Sequence, residues 1–181
     1  MNLHQIGVLV LRNRKIILDY SLIACLALLI LLIQQLATPD DLYERPENAF
    51  VAQFVGENNR IAGTVKKITG NSCTVELDVG GEVNALAVNV KNVGEKTQMS
   101  LRPERVEVNP PNGKYQNVFD GVVQELIYLG DHIRTRVQTC GQDSFIVKVP
   151  NSSGHVHLKE GESVKFGWKM EDCRALDAES L

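Results

Sequence analysis

From residue 61 onward, apolar and polar positions alternate with a period of two. Thr74, Glu76 and Asp78 interleave with Val75, Leu77 and Val79, and His132, Arg134 and Arg136 interleave with Ile133, Thr135 and Val137. Such alternation marks strands with one buried face. Gly80-Gly81 and Gly141-Gln142-Asp143 read as the turns that follow these two strands.

The strand pattern occurs twice. Ile61–Ile68, Cys73–Val79, Val83–Val88 and the stretch from Val93 to Arg105 make one set. Phe119–Leu126, His132–Val137, Phe145–Val149 and the stretch from Lys159 to Asp172 make the other. Gly63 answers Gly121, Gly94 answers Gly161, and Arg102-Pro103-Glu104 answers Lys169-Met170-Glu171. Asn109-Pro110-Pro111-Asn112-Gly113 separates the copies, because its prolines cannot continue a central strand. Either copy alone has too few strands to close much of a core, so mutual packing or shared strands are expected. The expected core includes Val65, Val75, Leu77, Val122, Val123, Val137 and Val147. Strand number and length fit paired five-stranded oligonucleotide/oligosaccharide-binding (OB) barrels, a mainly β fold with short preceding helices. Such modules bind or dock more often than they catalyse.

Ahead of the strands the period is helical. Thr38-Pro39-Asp40-Asp41 is a helix start: threonine caps, proline fits the first turn, and the acids suit the positive end of the helix dipole. Pro46 interrupts. A second helix is expected over roughly 47 to 55, ended by Gly56. Phe50 with Phe54, and Val51 with Val55, lie at helical spacing on a face that must pack on something, either the first barrel or a separate domain.

Residues 22–33 form an unbroken apolar run, following Ile16, Ile17 and Leu18. The run falls short of the roughly 20 residues that cross a bilayer, and extending it to residue 16 encloses Asp19, at a cost of a few kcal/mol. Arg12, Arg14 and Lys15 precede it, which would hold the amino terminus inside. A membrane anchor over 16–33, a signal peptide without a small-x-small cleavage site near Ala37, and a segment buried by a partner are three readings of this hydrophobic helix.

Composition narrows the field. Of 181 residues, 44% are apolar, and the formal net charge is −3 from 22 acidic and 19 basic side chains. That balance gives no electrostatic footprint for nucleic acid. Tyr115, Phe119, Tyr128, Phe145, Phe166 and Trp168 could stack bases, but several of them read as core. Cys25, Cys73, Cys140 and Cys173 are scattered, which favours reduced thiols over a disulfide framework or a zinc site. His155 and His157 would share one face of a strand, without a convincing third metal ligand nearby. Gly94-Glu95-Lys96-Thr97 is the nearest approach to a phosphate loop, but it lacks the first glycine and the spacing that wraps a triphosphate. The sequence therefore nominates no catalytic, cofactor-binding or metal residues.

From about Gln35 to its end, the chain resembles the last part of the ATP-binding subunit of bacterial ABC importers of the spermidine/putrescine type. The residues that carry the resemblance are Ala37–Pro46, Phe50–Asn59, Leu101–Arg105, Tyr128–Asp131, Phe145–Asn151 and Trp168–Asp177. Residues 38–57 resemble the last helices of the nucleotide-binding domain. Residues 58–181 resemble the transport-associated OB (TOBE) regulatory domain, with repeats over about 60–108 and 117–178. Residues 1–37 do not resemble the family.

The resemblance implies a peripheral subunit at the cytoplasmic face of the inner membrane. Its partners would be permease subunits and a second ATP-binding subunit, with homodimer contacts through the TOBE region and no nucleic acid. ATP and Mg serve the full-length family, whose phosphate loop, signature motif, Walker B carboxylates and switch histidine match no position here. The resemblance thus implies a carboxyl-terminal piece without ATPase motifs of its own. Two alternatives stay open: a paired-OB binder of a small oxyanion such as molybdate, and a membrane-anchored adaptor.

Overall fold

Residues 37–181 pack as a unit of their own in the computed structural model, with ten strands and two short α-helices among the described residues. The structure describes residues 34–151 and 158–178. The hydrophobic segment 1–33, with its anchor reading over 16–33, lies outside the described residues, as do His155 and His157. Among the described residues no helix is long and apolar enough to cross a membrane.

Helix α1 spans Pro39–Glu44. Thr38 caps it by accepting the Asp41 N–H at 3.3 Å, and Pro39 opens it, as the sequence predicts. Helix α2 spans Ala49–Phe54, shorter at both ends than expected, because Asn48 takes the capping role and accepts the Val51 N–H. Gly56 follows with φ +78°, the left-handed conformation that glycine adopts at no steric cost.

The first repeat contributes β1 (Asn59–Thr69), β2 (Ser72–Leu77), β3 (Glu82–Ala87) and β4 (Lys96–Leu101). A 3-10 turn at Pro103–Arg105 and the two-residue β5 (Glu107–Val108) follow. The second contributes β6 (Asn117–Tyr128), β7 (His132–Thr139), β8 (Gln142–Pro150) and β9 (Ser163–Trp168), then a 3-10 turn at Met170–Asp172 and β10 (Cys173–Asp177).

Each repeat gives its last strand away. The strand order β1-β2-β3-β10-β4 closes a barrel, so β10 of the second repeat seals the first. It runs antiparallel to β4 over Cys173–Asp177 and parallel to β3 at Arg174 and Ala175. In return β5 of the first repeat pairs with β9 in the second sheet, ordered β5-β9-β6-β7-β8. The sharing of strands expected from the small size of each copy is thus a reciprocal exchange.

The repeat symmetry extends to local detail. Both β1 and β6 carry a bulge against the next strand, between Val65 and Lys67 and between Val123 and Glu125. Val65 then pairs with the turn at Gly94-Glu95, and Val123 with the turn at Gly161-Glu162, through matching backbone hydrogen bonds of 2.7–2.9 Å. A bulge bends its strand sharply, which lets two short sheets curl around small cores. Gly63 and Gly121 sit just before these bends. A Cβ on Gly63 would lie 2.6 Å from the Glu76 carbonyl oxygen, and one on Gly121 would lie 2.8 Å from the Phe166 ring.

One core cluster runs through both repeats, from Ile61, Val65, Val75, Leu77, Val83 and Met99 to Val123, Val137, Phe145, Val147, Phe166 and Trp168. Val122 is the exception among the expected core residues: it is only partly buried, because the pleat that turns Val123 inward turns its neighbour out. Strand β2 ends at Leu77, two residues earlier than the alternation suggests. Val79 therefore lies in the turn with Gly80 and Gly81, 62% exposed.

Candidate docking site

Helix α2 rests on the first barrel through its small residues. Ala49 and Ala52 are buried against Leu176 of the exchanged strand and against Val88. Three-residue spacing places both alanines on one helix face, and their size lets the backbone come close to the strand. Val51 is buried as well.

Arg102 organises the contact. It directly follows β4, is only 5% exposed, and reaches back under the helices. Its Nε and Nη2 donate to the Tyr43 carbonyl at 3.2 and 2.8 Å, and its Nη1 donates to the carbonyls of Ala52 and Glu57 at 3.3 and 3.1 Å. Its guanidinium also lies 4.0 Å from the centre of the Tyr43 ring. The Tyr43 and Ala52 carbonyls belong to the ends of α1 and α2, where helices have no intrahelical donors left, and the Glu57 carbonyl belongs to the link that follows α2. A planar five-donor fork suits such a task, and a lysine would not. Burial pulls the Arg102 pKa down from its ordinary value, while the neighbouring Tyr43 and Glu104 favour the charged form. Burial and the hydrogen bond to Glu104 push the Tyr43 phenol up to about 12.

Other ties surround this centre. Arg105 makes a two-pronged contact to Glu44, 2.9 Å to each oxygen. Ala49 N–H donates to Asp177, and Arg174 donates to the Pro46 carbonyl, so β10 also holds the helical segment. A cavity of about 40 Å³ remains between Tyr43, Arg102, Arg105, Asp172 and Arg174. Burial raises the Asp172 carboxyl, against the pull of Arg105.

Phe50 and Phe54 face the other way. They stack at 5.8 Å with an interplanar angle of 9° and stay 54% and 78% exposed. The sequence pattern marks these phenylalanines as a packing face. The structure instead seats the helix on the barrel by its alanines and leaves the aromatic pair outward, as an apolar ledge.

The remaining sequence candidates find ordinary places. At Gly94–Thr97, the Glu95 carboxylate accepts the Lys91 and Asn92 N–H groups at 3.0 Å each, so the turn's own side chain takes the donors a phosphate would need. Phe145, Phe166 and Trp168 are wholly buried, and Phe119 stacks on Trp168 at 5.3 Å. Tyr128 is exposed at the β6–β7 turn, away from any such stack. Burial raises the thiols of Cys73 and Cys140 to about 11 and that of Cys173 further, which keeps them protonated and unreactive. A shallow groove of about 200 Å³ crosses β1 and β4, but Lys96 there is paired with Asp78 at 3.0 Å and Arg60 with Gln53 at 3.2 Å.

Two residues that carry the architecture escape the sequence reading. Asn59 donates from Nδ2 to the Ile146 carbonyl and accepts the Ile146 N–H on Oδ1, both at 2.7 Å. Asn117 does the same to Asn84, at 2.9 and 2.8 Å. Each asparagine opens the first strand of one repeat and grips the third strand of the other. The signal is present in the sequence: each stands four residues before the paired glycines Gly63 and Gly121.

Comparison with known proteins agrees with this architecture. The TOBE domain family model matches residues 99–176. The spermidine/putrescine import ATP-binding protein PotA of Trichodesmium erythraeum is 31% identical, over 80% of this chain and 39% of its own length. That of Chromobacterium violaceum is 33% identical, over 77% of this chain and 40% of its own. The chain thus spans about two fifths of the length of these relatives. Among solved structures, the cytoplasmic molybdate-binding protein ModG superposes with a TM-score of 0.54 at 17% identity, covering 66% of this chain and 96% of that one. At that identity the likeness concerns the fold.

Proposed function

This chain carries the TOBE region of the spermidine/putrescine-type importer ATP-binding family, and we propose that it acts as a regulatory and dimerisation module of a polyamine importer. Its work is contact. The observation that carries the reading is the outward Phe50–Phe54 pair on helices clamped rigidly to the barrels. A stacked, exposed aromatic pair is costly in water unless a partner covers it. An ATP-binding domain of the kind those relatives are named for would meet this ledge. The module then joins nucleotide turnover in that domain to permease subunits and a second copy, at the cytoplasmic face of the membrane. In this reading, turnover belongs to the partner domain.

The test has two arms. The purified chain with ATP and Mg should give no phosphate release above a protein-free blank. Calorimetry with the separately produced ATP-binding domain of the Chromobacterium violaceum relative should give saturable heat, which the double substitution Phe50→Ser and Phe54→Ser removes. Turnover by the chain alone, or heat that survives both substitutions, contradicts the proposal.

A further inference from the structure

Arg134 on β7 and Lys148 on β8 are register partners, directly opposite each other on neighbouring strands. Like charges in that position repel. Both side chains are also largely withdrawn from water, at 30% and 25% exposure. Among the described residues, the carboxylate paired with both is Glu57, which belongs to neither strand. It lies in the link between α2 and β1, and its two oxygens are divided: Oε1 accepts Arg134 Nε at 2.7 Å, and Oε2 faces Lys148 Nζ at 3.3 Å. The Glu57 main-chain carbonyl accepts Arg102 Nη1 at 3.1 Å. One residue therefore ties the helical segment to the first barrel by its backbone and to the second sheet by its side chain.

We propose that Arg134 and Lys148 form an oxyanion-binding site on the second repeat, that Glu57 is its built-in occupant, and that a competing anion unlatches the helical segment from β7 and β8. The geometry is that of a bound ligand. One carboxylate is shared between a guanidinium, through a charge-assisted hydrogen bond, and an ammonium, through an ion pair. The site also needs its occupant, because without it two half-buried cations face each other unpaired. Burial opposes ionisation of Glu57, yet its carboxyl is held below the ordinary glutamate value by Arg134 and then Lys148. The latch does not depend on what covers the Phe50–Phe54 ledge, so it stands apart from the proposed import role.

The full chain carries the test. Inorganic phosphate is titrated at constant ionic strength into the wild type and Glu57→Gln, and backbone amide shifts are followed at Arg134 and Lys148. The expected result is saturable binding by Glu57→Gln at least roughly tenfold tighter than by the wild type, the scale of one charged hydrogen bond. Adding Arg134→Gln should abolish it. Equal affinities, or no saturation in Glu57→Gln, overturn the proposal. A second measurement decides the matter if Glu57→Gln does not fold. In Arg134→Gln alone, amide exchange at residues 55–58 should quicken by about tenfold while α1 stays protected. Unchanged exchange at residues 55–58 overturns the latch.

Discussion

Asn59 and Asn117 occupy the same place in the two repeats, and each seizes the backbone N–H and carbonyl of a residue in the other. Their targets, Ile146 and Asn84, are themselves equivalent. Each stands one residue beyond the partner of an equivalent core valine, since Val137 pairs with Phe145 and Val75 pairs with Val83. The clamps and the exchanged strands β5 and β10 obey one internal twofold relation, which makes two small sheets a single body.

Replacing Asn59 with alanine removes both partners of a buried N–H and a buried carbonyl at Ile146. A buried polar group left unsatisfied costs about 1–3 kcal/mol. Asn59→Ala should therefore lower stability by roughly 2 kcal/mol or more, read as a fall in urea midpoint at unchanged slope. Asn117→Ala should behave alike, and Asn59→Asp should lose nearly as much, since it keeps the acceptor but not the donor.

Gly63 and Gly121 answer to steric demand from the strands beside them, with φ in the ordinary range. Gly63→Ala drives a methyl into the Glu76 carbonyl and Val75, each 2.6 Å from the new atom. Both are fixed by the barrel, so the loss should reach about 1–3 kcal/mol. Gly94→Ala meets no atom within 4 Å but has φ +87°, so its cost should come from backbone strain alone, about 1 kcal/mol. Thermal denaturation of the two variants separates these causes.

Arg102→Lys keeps the charge and loses the fork. The carbonyls of Tyr43, Ala52 and Glu57 cannot all be served by one ammonium. Helices α1 and α2 should then exchange their amides faster while β1 and β4 stay protected, a local opening that hydrogen exchange resolves element by element.

Glu57 sets an acid-side dependence. Its folded pKa lies below the ordinary 4.5, so the stability it contributes is present above 4.5 and is lost as pH falls through the lower folded value. Wild type should be the more stable at pH 7, and its margin over Glu57→Gln should shrink toward zero below that range, measured as paired urea midpoints. Tyr43 works on the alkaline side. Its folded pKa is raised from 10.0 to about 12, so its contribution is intact below 10.0 and fades as pH climbs to about 12. Tyr43→Phe should remove that alkaline dependence.

Much of this fold is legible in the residues because alternation and turn chemistry are local. Ile133, Thr135 and Val137 point inward as their spacing requires, and Thr38 caps the helix it precedes. What escapes is long-range. No local pattern says that Cys173–Asp177 crosses to the other repeat, since a strand reads the same beside either partner. The seating of the helix escapes for a related reason: periodicity locates Phe50 and Phe54 on one side of α2 and leaves open whether that side meets the barrel or a separate domain, and only the barrel surface decides that Ala49 and Ala52 fit against Leu176. Arg102 reads as part of a repeated turn, yet its equivalent Lys169 takes no comparable role, because helices precede only the first repeat.

Strand exchange makes the two repeats one cooperative unit. Native-state hydrogen exchange across a urea series measures this directly, by comparing Val75 and Leu77 in the first repeat with Val137 and Val147 in the second. All four amides should open with one free energy and one urea dependence. A second sheet that opens at lower urea while the first barrel stays protected would contradict it.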